Sequence, residues 1–403
     1  MSTFVVVVAI AAAFATGTAL VSFEVAVWFR IRMLIPEAVP KARVTLILPA
    51  TGPLPDLEAQ FAALLAQTLP PTRLVVAVES REDPAYGRVA DLAPRYPALD
   101  IELVVAGLSD LRVQKCTNLL AAFARLQEAD EYVVMFDADT RPQPWWLAAL
   151  VEPLAGGRAD IVNGYRWQLP RTVSLATIIG AAIDRAIAVL PRPDRFRMMW
   201  GGSIGFTRGA LEAIDMPAIL ARALTDDLEI IDRATALGLR VLTRHSLRVP
   251  TPLGGSLAQL WQFARRQYQI NHVYHRRPWS IAFGVYTADL LARIGLVVAA
   301  MAGDGLAARI AIASLLALGL LGSAAVEARR AIGRRLCAID PRGFTLAHHL
   351  VVWSTLPIAA FHATAIWVSA RRSPVTWGHV RYTVDRDGRV VGAARSPHRP
   401  ARG

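Results

Sequence analysis

The feature that most limits what this chain can fold into is a run almost without charge at its start. Residues 4–29 are apolar or small apart from a few Ser and Thr and the single Glu24. At about 1.5 Å per residue, that run is long enough to cross a hydrocarbon core of about 30 Å. A cleaved leader would open with Lys or Arg and carry a shorter apolar stretch, so residues 1–30 read as a membrane anchor. Three more apolar runs, 281–302, 306–326 and 346–370, mark a C-terminal membrane region over 281–370. The first two are separated by Gly303-Asp304-Gly305, which leaves room only for a hairpin turn.

Charge sets the orientation. Arg30, Arg32, Lys41 and Arg43 follow the anchor, and the positive-inside rule then places the domain behind them in the cytoplasm. Arg329, Arg330, Arg334 and Arg335 after the second C-terminal run carry the same signal. The third run, 346–370, is interrupted by His348, His349, Pro357 and His362 and followed by Arg371 and Arg372. A full crossing would carry the basic tail, 371–403, to the outside, so a re-entrant or interfacial helix is expected. Of the net charge of +12, most falls in the last 78 residues, where 13 arginines face four acidic residues. A basic tail behind apolar segments points to anionic lipid surfaces and not to nucleic acid. The segment 254–280 mixes Trp261, Phe263, Tyr268, Tyr274 and Trp279 with Arg265, Arg266, Arg276 and Arg277. That composition suits a helix lying in the membrane interface, and equally an amphipathic helix packed on a soluble domain.

Composition removes other classes. At 54% hydrophobic residues the chain is neither disordered nor collagenous nor purely soluble, and two cysteines build no disulfide scaffold and no Cys-based zinc site.

Between the membrane regions, over 41–253, short β-rich runs at 44–48, 74–78, 101–105 and 132–136 alternate with helical spacing at 57–67 and 117–126. This alternation predicts an α/β sheet with crossover helices, whose ligands gather at the carboxyl ends of the strands. Behind the second strand stands Glu79-Ser80-Arg81-Glu82-Asp83, and behind the fourth Asp137-Ala138-Asp139. Two carboxylates one residue apart at a strand end are able to share a hard divalent cation such as Mg²⁺ or Mn²⁺; a solvated turn capping the next helix is the plainer alternative. Trp200-Gly201-Gly202-Ser203 offers backbone that a ligand could approach closely. Thr225-Asp226-Asp227 precedes a helical pattern over 228–238, where an aspartate serves either as a helix cap or, facing the acidic site, as a general base. Lys41 and Lys115 are the only lysines among 44 basic residues, and a lysine kept at 115 suits a compact ammonium beside a diphosphate.

In this order the motifs resemble those of the membrane-bound family-2-type glycosyltransferases, within them the ceramide glucosyltransferase-like branch, from the anchor to Tyr382. The resemblance implies a nucleotide-sugar-binding, Rossmann-like domain of GT-A type in the cytoplasm, with N- and C-terminal transmembrane helices. It implies that Asp83 reads the nucleotide, that Lys115 lies at the family's Lys followed by Asn-Leu (here Asn118-Leu119), and that Asp137 and Asp139 hold Mg²⁺ or Mn²⁺ on the diphosphate. It further places Gly202 and Ser203 on the acceptor side, and Asp227, with Asp226 beside it, as the base. Trp377-Gly378-His379-Val380-Arg381-Tyr382 is similar to the branch's tail motif. Gln262, Arg265 and Arg266 match its Gln/Arg-x-x-Arg-Trp motif on the acceptor or diphosphate side, with arginine in the tryptophan place; a shifted alignment pairs Arg266-Gln267 with Arg-Trp instead, and either way the tryptophan is missing. The first strand ends Leu48-Pro49-Ala50-Thr51-Gly52, less basic than the branch's usual sequence, so the chain resembles a divergent member.

The expected reaction moves a sugar from a UDP-sugar to a hydroxyl of a ceramide-, diacylglycerol- or hopanoid-type lipid, with inversion, by an integral protein of the cell (inner) membrane. A processive polysaccharide synthase is the alternative, but it needs a channel that few spans enclose and the missing tryptophan. A non-catalytic nucleotide-binding membrane protein is another, and it would predict broken acidic motifs where all three are intact.

Overall fold

The computed structural model describes residues 2–191, 198–302 and 305–397. The chain runs α1 (Thr3–Arg32), β1 (Val44–Pro49), α2 (Leu57–Leu65), β2 (Arg73–Val78), α3 (Pro84–Leu92), β3 (Ile101–Val105), α4 (Gln114–Phe123) and β4 (Tyr132–Phe136). Next come α5 (Trp146–Ala155), β5 (Ile161–Pro170), α6 (Leu175–Ala188), β6 (Ser203–Thr207), α7 (Arg208–Ile214), α8 (Met216–Ile219), α9 (Asp226–Ala236) and β7 (Val241–Leu253). It ends in α10 (Leu257–Tyr274), α11 (Arg276–Met301), α12 (Gly305–Arg335), α13 (Phe344–Trp353), α14 (Leu356–Val368), β8 (Val375–Trp377), β9 (Val380–Val384) and β10 (Val390–Arg395).

These elements form two units that interleave in sequence: an α/β unit of Leu34–Arg166, Arg192–Pro252 and Arg372–Gly403, and a helical unit of Met1–Met33, Trp167–Pro191 and Leu253–Arg371. The sequential division expected above is corrected on two counts. Residues 167–191 leave the expected domain 41–253 because the apolar face of α6, with Ile178, Ala181 and neighbours, is buried against Phe344 and other residues of the helical unit. The expected tail 371–403 joins the α/β unit, since its strands alternate inward Val380, Tyr382 and Val384 with exposed Arg381 and Thr383.

In the α/β unit the sheet order is β3-β2-β1-β4-β6-β5-β7. Strands β3, β2, β1 and β4 pair in parallel, while β6 runs antiparallel to β4 and to β5. β1, β2 and most of β4 are fully buried, as near-continuous Val, Leu and Ile runs covered by helices must be. Chain order reverses between β1 and β4, where an open α/β sheet leaves a crevice at its carboxyl edge. The tail adds a three-stranded antiparallel sheet in the order β10-β9-β8.

In the helical unit, α1, α11 and α12 are long and apolar enough to cross a membrane. They meet through small side chains, Ala12 and Ala15 on α1, Ala292 and Ala299 on α11, Ala307 and Ala311 on α12, which allow close backbone approach. Arg276, Arg277 and Trp279 open α11; the interfacial composition expected over 254–280 is thus divided at His275 between α10 and the start of the span. The expected turn at 303–305 lies partly outside the described residues. The third apolar run forms two helices, α13 and α14, bent by 79°. Thr355, at φ +58°, makes the break, and Pro357 sits in the first turn of α14, where a missing N–H costs nothing. Arg293 on α11 donates to the Thr355 hydroxyl at 3.0 Å and to Asp289 at 2.8 Å, and the Thr18 hydroxyl of α1 donates to Asp289 at 3.1 Å. The chain break is thereby satisfied from within, as apolar surroundings require.

Candidate active site

The first two acidic motifs stand where β2 and β4 end, and the third opens α9. At the end of β1, Gly52 takes a positive φ of +78° and its N–H donates to Asp83 Oδ1 at 2.8 Å. The same oxygen accepts from Ala85 N–H at 2.9 Å, so Asp83 caps α3 and ties together the turns that follow β1 and β2. Asn118 on α4 donates to the carbonyl of Ala50 at 2.9 Å, fixing that helix to the same edge.

The turn after β4 is held from beneath. Gln60, fully buried on α2, donates to the carbonyls of Asp137 at 2.8 Å and Thr140 at 3.2 Å. Asp137 and Asp139 are thus carried on a constrained loop. Asp139 keeps exposed surface, yet the protein around its carboxyl and the adjacent charge of Asp137 push it up to about 6, against the pull of Arg166 on β5.

Lys115, in the first turn of α4, joins the motifs. Its Nζ lies 2.7 Å from Asp137 Oδ1 and 3.0 Å from Asp226 Oδ2. Burial works against its charge, but Asp137 and Asp226 outweigh that and hold the ammonium well above the ordinary lysine range. Asp226, 1% exposed, is pushed up to about 6 by burial, with Lys115 opposing and Asp227 and Asp137 adding to the rise. Asp227 is less buried; it accepts from the Thr225 hydroxyl at 2.5 Å, from Leu228 N–H at 2.9 Å and from Gly201 N–H at 3.2 Å.

Antiparallel pairing of β4 with β6 sets Phe136 opposite Ser203 and so brings 200–202 alongside Asp137. A Cβ at Gly201 would stand 2.2 Å from Asp226 Oδ2, and one at Gly202 would stand 2.7 Å from Asp137 Oδ2 and 2.2 Å from the Trp200 ring. The glycines therefore admit the carboxylates themselves. Ser203 corrects the expectation for the acceptor side: it is fully buried on β6, and its hydroxyl accepts from Trp146 Nε1 at 2.9 Å. Gln262, Arg265 and Arg266 belong to α10 in the helical unit; Gln262 is exposed, and the Arg266 guanidinium lies over the Phe263 ring.

Asp83, Lys115, Asp137, Asp139, Gly202, Asp226 and Asp227 are thus gathered in one unit. Sequence reasoning missed Gln60, Arg166 and the Lys115–Asp226 pair. Gln60 carried no signal beyond being polar on an apolar helix face, and Arg166 lies on a strand that the apolar pattern did not mark.

The paired carboxylates fit a divalent cation. The charge of Asp137 raises the cost of ionising Asp139, which a cation would relieve, and an ion of the Mg²⁺ type needs only one or two carboxylates when substrate phosphates supply the rest. Among the described residues no group of three or more His, Cys, Asp or Glu is placed to hold a metal ion.

The site thus lies in a mixed α/β sheet with acidic turns at the carboxyl edge of its parallel strands. Residues 4–390 match the profile of glycosyl transferase family 21, and the chain belongs to that family, the ceramide glucosyltransferase-like branch. Similar solved structures include the mannosyltransferase PcManGT from Pyrobaculum calidifontis in complex with GDP-Man and Mn²⁺, 18% identical over 83% of this chain and 99% of that one, TM-score 0.49. Glucosyl-3-phosphoglycerate synthase from Mycobacterium tuberculosis, with Mn²⁺, UDP and glucosyl-3-phosphoglycerate, is 16% identical over 57% of this chain and 79% of that one, TM-score 0.36. No curated protein sequence matches the chain.

Proposed function

We propose that this glycosyltransferase moves a sugar, with inversion, from a UDP-sugar to a hydroxyl of a membrane lipid, at the cytoplasmic face of the cell membrane. One observation carries the reading: Lys115 bridges Asp137 of the strand-end pair and Asp226 beside Asp227, so donor-side and acceptor-side groups meet at one ammonium. Asp137 and Asp139 are the residues that hold Mg²⁺ or Mn²⁺, which when bound offsets negative charge on the departing diphosphate. Lys115 adds a fixed positive charge where that diphosphate develops its own. Asp83 keeps the turn that faces the nucleotide and accepts from its NH or OH groups.

Asp227 takes the acceptor's proton while the hydroxyl oxygen attacks the anomeric carbon from the face opposite the leaving group. Asp226 is unsuited to that step, being buried and committed to Lys115, and acts as its anchor. The C-terminal membrane helices present the lipid. By their match to the family motif, Gln262, Arg265 and Arg266 on α10 are assigned to the lipid headgroup or the leaving diphosphate, phosphate being a group that guanidinium pairs with readily. The α13–α14 pair is read as re-entrant, returning the chain to the cytoplasmic side.

Calorimetry with UDP beside turnover assays tests the assignment. Asp227→Asn should bind UDP normally while transfer falls by roughly 10²-fold or more, and Asp83→Asn should weaken UDP binding. Near-normal turnover in Asp227→Asn would remove it as the base.

A further inference from the structure

The helix that carries Lys115 begins without a cap of its own. Val113, the residue before α4, has the extended backbone of a cap (φ −60°, ψ 141°) but no side-chain acceptor, and four N–H groups at a helix start need partners. One of them is met from far along the chain: Gln114 N–H donates to the Tyr382 hydroxyl oxygen at 3.0 Å. Tyr382 is 1% exposed, and burial pushes its phenol up to about 12, so the neutral hydroxyl is what accepts.

The rest of the tail grips the same turn. Arg395 on β10 donates to the Ser109 carbonyl at 2.6 Å and to Gln114 Oε1 at 3.3 Å. His379 lies 3.2 Å from Glu79 at the end of β2, four residues before Asp83. Val390 N–H donates to the Arg222 carbonyl at 3.0 Å, and Val113 N–H to the neighbouring Ala223 carbonyl at 3.0 Å. Three residues after Ala223 comes Asp226, the partner of Lys115.

We infer that Tyr382 is a positioning residue for glycosyl transfer, a helix cap supplied by the C-terminal sheet that fixes the first turn of α4 and with it the place of Lys115 between Asp137 and Asp226. The inference rests on the proposed diphosphate role of Lys115. The tail motif ending in Tyr382 then closes the strand-end crevice from behind, and loss of the tail releases the donor-side lysine.

Kinetics of three variants of the full-length protein test it. Tyr382→Phe removes the capping oxygen and little else; kcat should fall roughly tenfold, the scale of a lost cap, with the KM for the lipid acceptor unchanged. Tyr382→Phe with Val113→Thr supplies a capping hydroxyl to the neighbouring N–H of Lys115 or Cys116 on a residue of similar shape, which refixes the first turn although the Gln114 N–H stays unmet, and kcat should recover in part. Lys115→Met should lose roughly 10²-fold or more. Wild-type kcat in Tyr382→Phe, or a loss that Val113→Thr fails to reduce, overturns the inference, while a silent Tyr382→Phe beside an inactive Lys115→Met leaves the site reading standing. An active Lys115→Met removes both.

Discussion

Lys115 Nζ lies 3.0 Å from Asp226 Oδ2, joining the first turns of α4 and α9, and neither charge is accompanied by much solvent. Removing one partner of such a pair leaves the other poorly compensated, at a cost of about 3–5 kcal/mol when nothing replaces it; here Asp137 still faces the ammonium, so the loss should be smaller. Asp226→Asn is therefore expected to lower the melting temperature of the detergent-solubilised protein, and Lys115→Met in the same chain to recover part of it. Strictly additive losses would show that the two side chains are not coupled.

Gly202→Ala tests the close approach of backbone to the acidic pair. Its Cβ would stand 2.7 Å from Asp137 Oδ2 and 2.2 Å from the Trp200 ring, so the 200–203 loop has to shift. Divalent-metal affinity and turnover should both drop, and titration with Mn²⁺ reads the first directly. A variant with wild-type metal affinity would mean that the loop yields without disturbing Asp137.

Asp139 makes stability depend on pH in a direction opposite to that of a paired surface carboxylate. Its ordinary value of 3.8 is raised to about 6, so between about pH 4 and 6 the folded protein keeps a proton that the unfolded chain has released. Stability from this group is present at low pH and lost as pH rises through 6. In EDTA, the melting temperature of Asp139→Asn relative to wild type should therefore climb from pH 4 to pH 7. Added Mn²⁺ should reverse that order above pH 6, because the ion favours the ionised carboxylate. A difference flat with pH would contradict the shift.

Topology is read by labelling Arg30→Cys, Arg334→Cys and Arg381→Cys, each in a Cys337→Ser background because Cys337 is exposed while Cys116 is buried. All three positions should react from the cytoplasmic side. Reaction of position 381 only from outside would make the 79° pair α13–α14 a broken span that crosses.

The four parallel strands were legible because each is a short β-branched run bounded by turn residues, and the structure places them at 44–49, 73–78, 101–105 and 132–136. β5 was not: Asn163, Gly164, Arg166 and Gln168 break its apolar pattern, although most of the strand is buried. β6 was read only as a glycine loop, since Gly202 precedes it and Gly205 separates its two apolar residues, Ile204 and Phe206. Asp137 and Asp139 could be singled out from their place after a strand, and Lys115 from its rarity. That Lys115 reaches Asp226 could not, because the pairing spans 111 residues and depends on which strands are neighbours. Tyr382 lay in a recognisable motif, but its role as a cap follows only from the folding of an apparently basic tail into a sheet.

The proposed reaction is tested most directly by its product. Purified protein in detergent, given a panel of UDP-sugars with a membrane lipid extract, should yield a lipid carrying one added sugar by mass spectrometry, formed with a divalent cation and abolished by EDTA and by Asp227→Asn. Release of UDP without any glycosylated lipid, or growth of a sugar polymer in place of a singly glycosylated lipid, would contradict it.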